Sequence, residues 1–264
     1  LKPLRSGALA GLIRNRLSNN FEEKMGNTLD RHAVAYQGNS LYDFDNHILL
    51  AWYPQRVLHF AGAARSLLEL GLGHGYTTDI FSRRFERHLV LEGSAAVIRN
   101  FRERHPNCPS EIVETFFETF DTEERFDIIV MGFILEHVAD PMPVLRRFRN
   151  FLAPGGKIFV AVPNAQALNR RLGNLMGLLD NITQLSENDQ LLGHLRFYTV
   201  ESLTKDLALA GYGIDRLEGI YLKPFTTSQI LSLDLDQKAI DALCQVGIDY
   251  PELCCGLFVE ISVR

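Results

Sequence analysis

The 264-residue chain is poor in cysteine, has a single tryptophan and carries no long apolar run. Its four cysteines form no Cys-x-x-Cys pair, and the adjacent Cys254 and Cys255 cannot bridge each other without strain, so reduced thiols are expected. No apolar run approaches the ~18 residues that span a bilayer, and the first twenty residues lack the apolar centre of a secretory signal. These absences favour a cytoplasmic protein without a membrane partner.

The chain also lacks a large excess of charge of either sign. The net charge is −5, with 27 Lys and Arg residues against 32 Asp and Glu residues. A nucleic-acid-binding surface is usually basic, and the Asn/Asp-Pro-Pro-Tyr/Phe motif that accompanies base flipping does not occur. The sequence therefore argues against nucleic acid as a partner.

Short apolar runs alternate with amphipathic segments between residues 65 and 163. The runs predict strands at Ser66–Leu70, His88–Leu91, Ser110–Val113, Phe126–Met131 and Lys157–Val162. The segments between them predict helices at Tyr76–Phe85, Ala95–Arg104 and Met142–Leu152. Such β-α-β alternation predicts an α/β fold with a parallel sheet covered by helices on both faces.

The pattern continues to the end of the chain. After a helix at Val200–Ala210, strands are predicted at Tyr212–Ile220 and Leu257–Val263, as a hairpin-like pair joined by residues 221–256. The expected whole is a Rossmann-like, seven-stranded, mostly parallel sheet with helices on both faces.

Two lids are expected beside this sheet. Residues 1–64, including a helix at Asn46–Phe60, are predicted to form an N-terminal helical lid. The main domain is predicted over residues 65–264, with a lid insertion at about 164–198. Ligands of such sheets bind outside the carboxyl ends of the strands, so the residues just after each strand are the candidate site.

A glycine-rich loop, Glu69-Leu-Gly71-Leu-Gly73-His-Gly75, follows the first predicted strand. Glycines let the backbone turn tightly and approach a ligand, and the helix that follows offers unpaired N–H groups at its N-terminus. The dinucleotide fingerprint G-x-G-x-x-G requires a glycine where Tyr76 stands. This departure argues against a nicotinamide-dependent oxidoreductase.

Glu92 ends the second predicted strand, about 20 residues beyond the loop, where a carboxylate can accept both hydroxyls of a ribose. The segments ELGLGHG, VLEG, FDIIV, LEHV with DP, and LAPGG follow one another along the chain. In this order and spacing the chain resembles the class I S-adenosylmethionine-dependent methyltransferases, over most of residues 65–220.

The resemblance implies S-adenosylmethionine as the cofactor and S-adenosylhomocysteine as its product. The residues that it implies for cofactor binding are Glu69, Gly71, Gly73, Gly75, Tyr76, Glu92, Gly93, Phe117 and Glu118. Glu69 would hold the amino-acid end through the loop, and Glu92 would bind the ribose. Phe117 would pack on the adenine, and Glu118 would accept from its exocyclic amine.

Transfer of a methyl group to a hydroxyl also requires removal of a proton, for which histidine is suited near neutral pH. His137 follows the fourth predicted strand, and His194 lies in Gly193-His-Leu-Arg196-Phe-Tyr198 after the fifth. Either could be the catalytic base, or each could have a structural role.

The residues predicted to bind the acceptor are Asn164, Arg196, Tyr198, Trp52 and Tyr53. No Asp, Glu and His cluster has metal-ligand spacing, so no metal is predicted.

The expected activity is O-methylation of a small-molecule acceptor, such as a sugar or another biosynthetic intermediate. N-methylation of an amine or amino sugar is an alternative, because a neutral amine needs little help from a base. A cofactor-binding regulator or scaffold without catalysis is another. A homodimer is compatible with all of these interpretations.

Overall fold

The computed structural model of the chain describes residues 29–36 and 41–264. The strands are β1 (Ser66–Leu70), β2 (Arg87–Glu92), β3 (Glu111–Glu114), β4 (Phe126–Gly132), β5 (Leu152–Pro163), β6 (Tyr212–Ile220) and β7 (Gly256–Val263). They form a seven-stranded sheet in the order β3-β2-β1-β4-β5-β7-β6. Neighbours from β3 to β5 pair in parallel, whereas β7 is antiparallel to β5 and β6. The predicted seven-stranded, mostly parallel sheet is confirmed.

Helices connect the strands. They are α1 (Asp43–Phe60), α2 (Tyr76–Ser82), α3 (Ala95–Arg104), α4 (Pro141–Phe148), α5 (Leu168–Leu175), α6 (Glu187–Leu192), α7 (Val200–Leu209), α8 (Thr227–Ser232) and α9 (Gln237–Gly247). Short 3-10 helices occur at Ala33–Tyr36, Arg149–Phe151 and Pro251–Leu253. Within the described residues, no helix is long and apolar enough to cross a membrane. Residues 1–28 and 37–40 of the predicted N-terminal lid lie outside the described part of the chain.

Adjacent residues of β4 face opposite sides of the sheet. Ile129 and Met131 belong to one apolar core, together with residues of α4 and α7. Ile128 and Val130 belong to a second core, together with residues of α1, α2 and α9. Because helices cover both faces, this strand is a continuous apolar run in the sequence instead of an alternating one.

Helix α1 is part of the second core as well as a wall of the site described below. Tyr53 and Val57 are buried in that core. The guanidinium of Arg56 donates two hydrogen bonds to the carboxylate of Glu218 in β6, at 2.7 and 2.9 Å. Pro54 lies inside the helix and does not end it. This half of the predicted lid is therefore fixed to the sheet.

Strand β5 begins earlier than predicted. The helix was expected to reach Leu152, but α4 ends at Phe148 and β5 already starts at Leu152. The pairing of β5 with β4 then shifts register, as in a β-bulge. Gly155 has a φ of +76°, and a Cβ on Gly156 would lie 2.9 Å from the carbonyl oxygen of Asp127. Gly155 and Gly156 thus allow this irregularity in the strand.

Residues 221–256 were expected only to join two strands, yet they contain α8 and α9. Each helix begins at a capping side chain. Thr226 Oγ1 accepts the N–H of Gln229, and Asp236 Oδ1 accepts the N–H of Ala239. Thr226 and Gln229 form a capping box, a local sequence signal that apolar periodicity does not reveal.

Asp127 ties the start of β1 to β4. Its Oδ2 accepts the N–H groups of Arg65 at 2.8 Å and Ser66 at 3.0 Å, and its own N–H donates to Ser66 Oγ at 2.9 Å. These donors hold the pKa of the Asp127 carboxyl below its usual value. A carboxyl with a lowered pKa stabilises the fold above its unfolded pKa, ~3.9, and this contribution is lost as the pH falls through the folded value.

We expect Asp127→Ala to lower the free energy of unfolding at pH 7 by about 1 kcal/mol, because two charge-assisted hydrogen bonds are lost. Urea denaturation would measure the difference, which should shrink as the pH falls below about 4. The matched control is Asp121→Ala, which removes a carboxylate that is 85% exposed. Equal effects of the two substitutions, or a difference that does not change with pH, would contradict this role of Asp127.

Candidate active site

The carboxyl ends of the parallel strands open onto a cavity of about 530 Å³. This volume lies within the ~300–1,000 Å³ usual for small-molecule sites. The predicted site residues that line it are Tyr53, Gly71, Gly73, Gly75, Tyr76, Glu92, Gly93, Phe117, Glu118, His137, Asn164 and His194. The predicted site residues outside this lining are Glu69, Trp52, Arg196 and Tyr198.

The glycine loop needs its glycines for two reasons. Gly71, Gly73 and Gly75 have φ values of +80°, +47° and +82°, a region that side-chain-bearing residues rarely adopt. A Cβ on Gly71 would lie 2.5 Å from Ile134 Cδ1, and one on Gly75 would lie 2.5 Å from Phe101 Cδ2. The glycines therefore allow both the left-handed turns of the loop and its close packing on Ile134 and Phe101, and all three line the cavity.

Glu69 lies behind the loop. It is 1% exposed, and its carboxylate accepts the hydroxyls of Thr77 at 2.5 Å and Thr78 at 2.8 Å. His88 Nε2 lies 3.0 Å from the same carboxylate. These contacts fix the loop to the start of α2, so Glu69 can influence a ligand in the cavity only through the loop.

Glu92 places its carboxylate on the cavity wall beyond β2. One oxygen accepts the N–H of Leu72 at 2.9 Å, and the other accepts the N–H of Ser94 at 2.8 Å. Burial raises the pKa of Glu92, and these two N–H donors oppose that rise. A carboxylate has about four lone-pair positions, so it can still accept from hydroxyl groups of a ligand.

The N-terminal strap, residues 29–36, spans the cavity. At one end, Asp30 Oδ1 accepts the hydroxyl of Ser94 at 2.6 Å and also caps the start of α3. At the other end, His32 Nδ1 lies 2.8 Å from the carbonyl oxygen of Leu191, and the Tyr36 hydroxyl donates to that of Leu192 at 3.4 Å. The strap thus joins the Glu92 side of the cavity to α6.

Helix α6 fixes the position of His194. Ser186 and Asp189 form a capping box at the start of the helix, which uses Asp189 Oδ2. Gly193, with a φ of +84°, ends the helix. His194 follows at once, with its Nδ1 3.2 Å from Asp189 Oδ1. A short sequence therefore places a carboxylate against an imidazole that faces the cavity.

Glu136 and His137 approach His194 from the loop after β4. The rings of His137 and His194 have centroids 4.7 Å apart. Glu136 is fully buried, and neither of its carboxylate oxygens has a hydrogen-bond partner among the described residues. Burial raises the pKa of Glu136 to about 7 and lowers that of His137 to about 3. One potential ligand atom from each of the three residues lies within 4.8 Å of the others.

This cluster of Glu136, His137 and His194 could not be predicted from sequence spacing, because residues 136–137 and 194 lie far apart in the chain. Glu136 and Asp189 were both missed. The LEHV segment places Glu136 next to a candidate base, which is a weak sequence signal. The capping-box spacing from Ser186 to Asp189 is a stronger one.

Arg196 has a different role from the predicted one. Its guanidinium donates to the carbonyl oxygens of Leu135 at 3.0 Å, Val138 at 2.7 Å and Ala139 at 2.8 Å. It lies outside the lining of the cavity. The predicted contact with an acceptor is corrected: Arg196 holds the loop that carries Glu136.

Asn164 and Tyr198 are also committed to the fold. The Asn164 amide donates to three carbonyl groups of residues 251–254, and its Oδ1 accepts the N–H of Gln166. The backbones of Asn164 and Tyr198 pair in an isolated parallel bridge. Asn164 touches the cavity with a side chain that is already hydrogen-bonded, and Tyr198 is 2% exposed within the core. Predicted acceptor binding by Tyr198 is therefore corrected.

Trp52 and Tyr53 are neighbours on α1 that face different surroundings. Tyr53 reaches the cavity. Its hydroxyl packs so closely on Gly132 at the end of β4 that a Cβ on that glycine would lie 2.1 Å from the Tyr53 oxygen. Trp52 instead lines a separate hollow with Asp241 and Gln245 of α9. The predicted acceptor-binding role of Trp52 is corrected, since successive helical residues point in different directions.

A methyltransferase-domain family model matches residues 21–217 of the chain. Ubiquinone biosynthesis O-methyltransferases are among its curated relatives. That of Nitrobacter winogradskyi is 27% identical over 176 residues, which cover 66% of either chain. That of Parvibaculum lavamentivorans is 31% identical over 121 residues, or 43% of this chain and 44% of the relative. The chain thus matches less than two thirds of the length of these two relatives.

Solved structures share the fold at lower identity. The N-methyltransferase NodS of Bradyrhizobium japonicum WM9, in complex with S-adenosyl-L-homocysteine, has a TM-score of 0.57 at 15% identity and covers 90% of this chain and 98% of its own. The plantazolicin methyltransferase BpumL has a TM-score of 0.58 at 14% identity, with coverages of 92% and 99%. Because the family model also extends over well more than half of the sequence, the chain belongs to the S-adenosylmethionine-dependent methyltransferases of class I, as its motifs predict.

Proposed function

We propose that the protein transfers a methyl group from S-adenosylmethionine to a hydroxyl group of a small-molecule acceptor. The observation that carries this proposal is His194, held beside Asp189 on the same cavity as the glycine loop and Glu92. When bound, the cofactor supplies a methyl group activated by a sulfonium sulfur. The chain must then align the acceptor and accept its proton.

The cofactor half of the cavity fits this group. Gly71, Gly73 and Gly75 line the cavity and carry no side chain, so the loop backbone can lie directly against a ligand. Glu92 presents a carboxylate suited to the two ribose hydroxyls. Phe117 and Glu118 line the cavity beyond β3, where an aromatic face and a carboxylate suit an adenine.

His194 is the proposed base, and Asp189 is the positioning residue that acts through it. The capping box restrains Asp189, whose other oxygen lies beside His194 Nδ1. A proton on Nδ1, beside this carboxylate, leaves Nε2 able to accept the proton of the acceptor. The acceptor oxygen thus gives its proton to His194 as it takes the methyl group. The neighbouring His137 forms the adjoining wall.

Two observations favour oxygen over nitrogen as the methylated atom. A neutral amine needs little assistance from a base, so the pairing of Asp189 with His194 would serve N-methylation poorly. The curated relatives named above are O-methyltransferases.

A sugar or another hydroxylated biosynthetic intermediate fits the mixed wall, in which Tyr53 and Phe133 supply apolar surface. A non-catalytic scaffold would have no use for the Asp189–His194 pair.

We expect Glu92→Ala to weaken binding of S-adenosylmethionine and S-adenosylhomocysteine by roughly 10- to 100-fold, because charge-assisted hydrogen bonds to the ribose are lost. Calorimetric titration measures this, with NAD as the non-cognate nucleotide. Glu114 pairs with Glu92 in the sheet and is exposed, so Glu114→Ala is the matched control. Unchanged affinity in Glu92→Ala would remove the ribose assignment.

We expect Gly71→Ala to weaken cofactor binding at least tenfold, since the added Cβ meets Ile134 and displaces the loop backbone. Gly155→Ala controls for backbone strain: its φ of +76° is similar, but no atom lies within 4 Å of the added Cβ. Both variants should lose some thermal stability, and only Gly71→Ala should lose affinity in the titration. Equal affinity of the two variants would show that the loop does not contact the cofactor.

We expect His194→Gln to lower kcat by roughly 100-fold or more while cofactor affinity changes less than about twofold. Release of S-adenosylhomocysteine from a panel of hydroxyl and amine compounds identifies the acceptor, and NMR of the product identifies the methylated atom. His59→Gln changes an exposed histidine of α1 and serves as the control. An equal loss of turnover and cofactor affinity in His194→Gln would make this residue structural, and an N-methylated product would refute O-methylation.

A further inference from the structure

Glu136 is an energetic anomaly. Its side chain is completely buried, and both carboxylate oxygens lack a hydrogen-bond partner among the described residues. Burying a carboxylate without a partner costs several kcal/mol, so such groups are normally paired with a donor or a cation. Glu136 lines the cavity, so its partner can come from outside the chain.

The groups nearest to this carboxylate are suited to a metal ion. A ring nitrogen of His137, a ring nitrogen of His194 and an oxygen of Glu136 lie within 4.8 Å of one another. Two imidazoles and one carboxylate are a donor set that binds zinc and other divalent transition metals, and three protein ligands leave a coordination position open. We propose that Glu136, His137 and His194 together bind one divalent transition-metal ion, although the sequence alone indicated no metal.

The surroundings of the two histidines support this assignment. Histidines that bind metals usually engage a carboxylate or a backbone carbonyl through their other ring nitrogen, which fixes the ring. His194 Nδ1 lies 3.2 Å from Asp189 Oδ1. The ring of His137 meets that of His194 edge-on, with centroids 4.7 Å apart and an interplanar angle of 79°. The Asp189 carboxylate and the packing of the two rings thus restrain His194 without a metal.

The two segments that carry the ligands are also tied together without a metal. The N–H of Leu195 donates to the carbonyl oxygen of Glu136 at 2.8 Å. Arg196 holds the loop after β4 through three carbonyl groups. The ligands are thus brought together by the fold before an ion binds.

The consequence of metal binding for catalysis rests on the proposed function, whereas the metal site itself does not. A nitrogen of His194 that binds the ion cannot also accept a proton. In the metal-loaded protein, coordination of the acceptor hydroxyl would lower its pKa, so that its proton would pass to water before the oxygen takes the methyl group, and the ion would replace His194 in promoting deprotonation.

The test begins with the full chain freed of metal by a chelator and dialysis, then titrated with Co²⁺ and, in competition, with Zn²⁺. We expect about one equivalent of Co²⁺ to bind, with visible absorption bands that Zn²⁺ abolishes. Glu136→Gln and His137→Gln should each weaken Co²⁺ binding by at least about tenfold, and Asp189→Asn should weaken it less. Thermal unfolding and titration with S-adenosylhomocysteine verify that each variant is folded.

His59→Gln is the control for adventitious binding at an exposed histidine, and we expect it to bind Co²⁺ as the unaltered protein does. The proposal is overturned if the unaltered protein shows no Co²⁺ bands, or if folded Glu136→Gln and His137→Gln bind the ion undiminished. Methyl transfer is assayed separately. A protein that binds the ion but methylates no acceptor retains the metal site and refutes the proposed function. A protein that methylates while taking up no ion refutes only the metal site.

Discussion

One guanidinium group determines the shape of the reactive end of the cavity. Arg196 donates to three carbonyl groups of the loop after β4, which otherwise leaves the sheet without regular backbone pairing. Glu136 and His137 lie on that loop, and Arg196 lies two residues beyond His194. The side chains that meet at the cluster are therefore positioned by backbone hydrogen bonds. Loss of this one cation would remove three of the hydrogen bonds that hold the loop carrying Glu136 and His137.

The two halves of the cavity are built in different ways. The side formed by the glycine loop depends on local features, because the loop, its supporting Glu69 and the start of α2 are contiguous in sequence. The reactive half depends on contacts between distant segments, such as the ring contact of His137 with His194. A short motif can thus hold the methyl donor, while the region that meets the acceptor can change with the loops that form it.

The same difference explains what could be predicted from the sequence. The strands and the glycine loop were predictable because apolar runs and glycines report local backbone geometry. The direction of a side chain was not: Trp52 and Tyr53 are adjacent and of similar character, yet only Tyr53 reaches the cavity. Arg196 was predicted to bind the acceptor, because its three carbonyl partners cannot be inferred from sequence spacing. The role of Glu136 follows from its burial without a partner, which the spacing of residues in the sequence does not reveal.

The N-terminal strap connects these two halves mechanically. Asp30 anchors it beside Glu92, and His32 and Tyr36 anchor it to the end of α6, two residues before His194. Ordering of one anchor therefore lowers the entropy cost of ordering the other. Thermodynamic linkage makes such an effect reciprocal: if an acceptor that orders α6 tightens retention of the cofactor, the cofactor must tighten retention of the acceptor by the same factor. A strap fixed at both ends would thus couple the binding free energies of the cofactor and the acceptor.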